Sequence, residues 1–93
     1  MSGMAIRCEI DDPLVRFWVE EGKYQLDVRA MLAAGGKPFA HIMSCVEQIR
    51  EGDILVVHAL FEPRPLLSQL VSRGLRCVTR LECEDHWTVT IQG

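Results

Sequence analysis

The sequence predicts a two-layer α/β (α+β) sandwich, β-α-β-α-β-β, with a four-stranded mixed sheet and two helices packed on one face. Three observations predict it. Residues 38–50 and 64–73 carry apolar side chains at helical spacing. Between them, residues 54–60 are almost continuously apolar, as expected of a strand flanked or covered on all sides. Residues 75–92 then alternate apolar and polar on either side of a polar turn, the pattern of a hairpin.

Taken in order, residues 1–22 form a short N-terminal extension and residues 23–93 the domain proper. The extension admits two readings. Asp12-Pro13 suits a helix start, with Leu14, Phe17 and Trp18 at i, i+3 and i+4 and Gly22 as the stop. The competing reading makes Val15 to Val19 a strand, turned by Glu20-Glu21-Gly22-Lys23. The helix is preferred, and in both readings Phe17 and Trp18 cover core surface.

Tyr24 to Val28 reads as the first strand of the domain. A loop with Gly35-Gly36 follows, and Pro38 opens a helix where no backbone donor is required. Phe39, Ile42, Met43, Val46 and Ile49 give that helix one apolar stripe, ended by Glu51-Gly52-Asp53. Ile54 to Leu60 is the central strand. Glu62-Pro63-Arg64-Pro65 breaks it and starts a second helix bearing Leu66, Leu67, Leu70 and Val71, with Gly74 at its C-cap. Leu75, Cys77, Thr79 and Leu81 share one face of the next strand. After Glu84-Asp85, Trp87, Val89 and Ile91 alternate in the last one. Right-handed crossovers then place both helices on the same face.

Composition narrows the function. Ninety-three residues with 48% hydrophobic and 25% charged side chains suit one folded domain, not a disordered chain. The net charge of −3 disfavours nucleic acid, whose affinity rests on neutralised phosphates. No apolar run approaches the ~20 residues that span a bilayer, so no membrane association is expected. The start carries no basic segment followed by an apolar stretch, so a cytoplasmic setting is expected. In that setting the four cysteines, Cys8, Cys45, Cys77 and Cys83, are expected as reduced thiols.

Two stretches carry a family resemblance. Leu26-Asp27-Val28-Arg29, a glycine-bearing loop and helix-opening Pro38 resemble the Leu-Asp-x-Arg…Cys-Pro signature of the TusA/SirA-like sulfur carriers. Phe61-Glu62-Pro63-Arg64-Pro65-Leu66-Leu67 with Arg73-Gly74 is similar to an uncharacterised bacterial family related to those carriers, a domain of unknown function found alone or beside other modules. The resemblance spans about residues 24–92 and implies the same β-α-β-α-β-β plan. It departs at the decisive point. The carriers hold their persulfide-forming cysteine directly before the proline, and here Lys37 occupies that position, after a longer loop. Lysine has no thiolate with which to carry sulfane sulfur.

No other cysteine reads as a replacement nucleophile. Cys45 sits mid-helix at the flank of the apolar stripe and Cys77 alternates with apolar residues in a strand, both as small buried hydrophobes do. Cys83 neighbours Glu84 and Asp85, whose charges oppose thiolate formation. Cys8 lies in the extension, and none of the four reads as an activated nucleophile.

Ligands of open α/β sheets gather outside the carboxyl ends of the parallel strands. The two β-to-α connections bring Arg29, Lys37, His58, Glu62 and Arg64 towards that edge, with two helix N-termini. These five are the candidate ligand-binding residues, for a small anion or an acidic partner protein. The bland alternative pairs Arg29 with Asp27 or Glu62 and leaves Lys37 solvated. Cys83-Glu84-Asp85-His86 lacks the second ligand pair of a structural zinc site, so no metal is assigned. No cofactor is expected, and no nucleophile elbow or phosphate loop points to catalysis. The expected function is therefore a non-catalytic binding module. Two alternatives are a sulfur-transfer or redox component using a remaining cysteine, and, by fold analogy alone, an RNA-binding module. Arg76, Val78, Arg80, Glu82, Thr88, Thr90 and Gln92 alternate onto the uncovered sheet face, polar enough for a monomer or weak homodimer.

Overall fold

The computed structural model describes residues 12–93; Cys8 and the rest of the extension before Asp12 lie outside the described residues. The described residues form one mixed sheet of five strands in the order β1-β2-β3-β5-β4. The strands are β1 (Arg16–Glu20), β2 (Lys23–Asp27), β3 (Ile54–Ala59), β4 (Arg76–Cys83) and β5 (His86–Gln92). Three helices, α1 (Arg29–Ala33), α2 (Phe39–Val46) and α3 (Arg64–Ser72), connect them. β2 and β3 pair in parallel, and the other three pairings are antiparallel.

Three elements differ from the sequence expectation. One differs only in length: α2 ends at Val46, so Ile49, expected in its stripe, packs on the core from the segment after the helix. The preferred N-terminal helix is instead the strand β1, hairpinned onto β2 through Glu21-Gly22, so the sheet has five strands and not four. Leu14, Phe17 and Trp18 mimic a helical stripe, but strand parity separates them. Phe17 pairs with Leu26 on the core face and stacks on Tyr24, while Trp18 pairs with Gln25 on the other face. The third difference is α1, a short helix in the expected loop. It is pinned by the buried Met31, giving three helices and not two.

The core lies between the helices and one sheet face. Leu26, Leu55, Val57, Val89 and Ile91 from the sheet are fully buried, as are Cys45 of α2 and Leu70 of α3. At about 1.5–3 kcal/mol per buried large aliphatic side chain, this layer dominates the folding drive. The expected glycine cap of α3 is present. The Gly74 and Leu75 amides donate to Val71 and Leu70 carbonyls, the paired bonds of a Schellman turn. Cys77 and Cys83 are free thiols, whereas Cys45 is disulfide-bonded. Reduced thiols throughout is therefore not what the structure shows.

Parity decides what faces outward. Val56 and His58 of β3 share a face with Gln25 and Asp27 of β2 and with Thr88 and Thr90 of β5. β4 adds Val78 and Arg80 to that face. Among the described residues no helix covers this face, and it is mostly polar, as the alternation of β4 and β5 predicts.

Candidate functional site

At the carboxyl ends of the parallel strands β2 and β3 the structure holds a pocket of about 430 Å³. Val28, Val57 and Ala59 form its strand-side wall. Leu32, Phe39 and Ile42 line it from α1 and α2, and Phe61, Pro63, Pro65 and Leu66 from the side of α3. The void has a local cause: Ala59 is the smallest core-facing residue of β3, where Leu55 and Val57 stand at the equivalent positions. Its other wall is the turn Gly36-Lys37-Pro38. Gly36 donates to the Met31 carbonyl at 2.9 Å, and a Cβ at Gly36 would meet Met31 Cγ at 2.6 Å. Only glycine lets the turn approach α1 this closely.

The five residues expected at this edge are not gathered into one cradle. Lys37 does line the pocket, as its single charged residue. Arg29 is committed to Asp27, with its guanidinium nitrogens 2.8 and 3.1 Å from the two carboxylate oxygens and its backbone amide 3.0 Å from Oδ1. Arg64 pairs with Glu62 at 3.0 Å, and Thr79 donates to the other Glu62 oxygen at 3.4 Å. Among the described residues Lys37 makes no ion pair. The edge is thus apolar with one uncommitted cation. Phe39 and Phe61, about half exposed (45% and 53%), are apolar surface beside it.

His58 lies on the opposite sheet face. Its Nε2–H donates to Gln25 Oε1 at 2.7 Å, and its Nδ1 accepts from His86 Nε2–H at 2.9 Å. Trp18 stacks over it at 5.7 Å between ring centroids, and the Arg16 guanidinium lies 5.7 Å from the Trp18 ring. Burial lowers the His58 pKa. The Asp27 charge opposes that shift, and the His86 and Arg29 charges add to it. His58 is thereby held neutral inside a satisfied network. The structure brings His86 to His58, but among the described residues no cluster of three or more His, Cys, Asp or Glu is placed to hold a metal ion.

The residues that line the pocket were mostly invisible as site residues in the sequence. Phe39 and Ile42 read there as positions of a helix's apolar stripe, Phe61 as part of a family-like motif, and Ala59 as one more apolar residue of a central strand. The one available signal was the cluster of Pro38, Pro63 and Pro65 at the two strand-to-helix connections.

Fold and site together define a small two-layer α/β domain with an apolar pocket at the strand ends. The chain belongs to the family described as "Uncharacterized conserved protein (DUF2249)", which matches residues 25–92. No curated protein and no solved structure matches it. Among the described residues no helix is long and apolar enough to cross a membrane.

Proposed function

We propose that this domain is a non-catalytic binding module that works through the pocket at the carboxyl ends of β2 and β3. One observation carries the reading: a pocket of about 430 Å³ sits where open α/β sheets place their ligands, and no cysteine, histidine, hydroxyl or carboxylate lines it. Lys37 is the one reactive group of the lining, and with no neighbouring acid or base in the lining to activate it the pocket suits holding a molecule, not transforming it. In this reading the domain is a divergent bacterial, cytoplasmic relative of the TusA/SirA-like carriers, with Lys37 where they hold cysteine. Its role shifts from passing sulfur to retaining a ligand or partner.

The test is binding of an amphipathic fluorophore, anilinonaphthalene sulfonate, to the folded domain. Ala59→Leu, which fills the void from its strand-side wall, is expected to remove most of the emission gain while the protein still melts cooperatively. Arg80→Ala on the opposite face is expected to leave it intact. Equal emission from wild type and Ala59→Leu overturns the reading. Incubation with a persulfide donor offers a second check: a sulfur adduct on Cys77 or Cys83 by mass spectrometry would replace it with sulfur transfer.

A further inference from the structure

Resting on the reading above, we propose that the pocket's occupant is a small amphipathic carboxylate with one terminal anionic group, set against the Lys37 ammonium at the mouth. Counted with its head group, the occupant numbers about ten to fourteen non-hydrogen atoms, since each takes roughly the 30 Å³ share of a liquid water.

Size, wall chemistry and charge each narrow the occupant. A pocket of about 430 Å³ belongs to the range that small molecules fill. Its walls offer no side-chain carboxylate, hydroxyl or amide, so a ligand with several polar groups would lose its water contacts without replacement. Pro38, Pro63 and Pro65 lack backbone N–H groups, so these three lining residues offer no main-chain donor to a peptide or a bare phosphate. The same prolines fix three backbone torsions around the opening, so little ordering is required on binding.

Charge decides the head group. Arg29 and Arg64, the other cations of this edge, are neutralised by Asp27 and Glu62. Lys37 remains exposed, uncommitted and in the wall. One free positive charge on an apolar pocket complements one negative charge on an apolar body. It does not complement a nucleotide or polyphosphate, which calls for several cations.

Octanoate and octylammonium, both below their micelle thresholds, are the probes, titrated into the ¹⁵N-labelled domain. Octanoate is expected to shift the amides of Gly36, Phe39, Ala59 and Phe61 saturably, and octylammonium to bind more weakly. Lys37→Glu, an exposed substitution, is expected to weaken octanoate about fivefold or more, the scale of a partly desolvated ion pair, and to reverse the preference. Ala59→Leu is expected to abolish both titrations. Equal affinity for the two probes in the wild type, or unchanged octanoate affinity in Lys37→Glu, overturns the carboxylate assignment while leaving the binding pocket in place. No shift at these amides with either probe overturns both. Shifts confined to the face of His58 and Thr88 also overturn both.

Discussion

Asp27 and His58, opposite each other on β2 and β3, respond to acid in the same direction for different reasons. Burial alone would raise the Asp27 pKa. The hydrogen bonds from the Arg29 guanidinium and amide, with the Arg29 charge, outweigh it and hold the carboxyl below its ordinary value. Its stabilisation is present above the ordinary carboxylate pKa of about 3.9 and is lost as pH falls through the lower folded value. His58 is lowered chiefly by burial. Below the ordinary histidine pKa of about 6.5 the unfolded chain binds the proton more readily, so stability falls until the folded value is passed. Urea midpoints measured against pH should therefore decline in two stages, one beginning near neutrality and one in the carboxylate range. His58→Gln should flatten the first, and Asp27→Asn the second. The sequence showed Asp27 beside Arg29 and so made their pairing foreseeable. It could not show His58's partners, because Gln25, His86 and Trp18 come together only through strand register.

The turn between β1 and β2 illustrates what an element demands of its residues. Glu21 and Gly22 both take positive φ, 53° and 75°, as in the two-residue turns whose twist matches a hairpin. Gly22 adopts this freely, but Glu21 has a Cβ that resists it. Glu21→Asn is expected to stabilise the domain by about 0.5–1 kcal/mol, raising Tm by a few degrees, as calorimetry would show. Unchanged Tm would mean that the turn stores no such strain. α2, α3, β4 and β5 were legible because several residues repeat one period, and β3 because a short, nearly unbroken apolar run lies between turn residues. β1 was not. Five residues carry too few repeats to separate a period of 2 from one of 3.6, and the contacts that fix it, Phe17 on Tyr24 and Trp18 over His58, are non-local. α1 rests on a single buried side chain, Met31, which leaves no period to read. The pocket escaped for a related reason: it is made by what Ala59 lacks, and a missing side chain has no pattern.

At the scale of the whole molecule, the uncovered sheet face and both sheet edges discourage self-association. The outer strand β4 carries exposed Arg76, Arg80 and Glu82 and a register shift between Leu81 and Cys83. The other edge, β1, is only five residues long and bears exposed Arg16 and Glu20. Charges, bulges and short edges all blunt strand addition. Light scattering is expected to show a monomer, or a dimer that dissociates on dilution; a tight tetramer would contradict this account of the surfaces. The strand order has one more consequence, for how the chain acquires its shape over time. Of the five described strands β5 comes last in chain order, yet it sits between β3 and β4 and holds both. Until it emerges, two inward-facing strand rims stand open side by side, each a template for any extended segment within reach. The sheet closes from its middle, and β5 acts as the keystone.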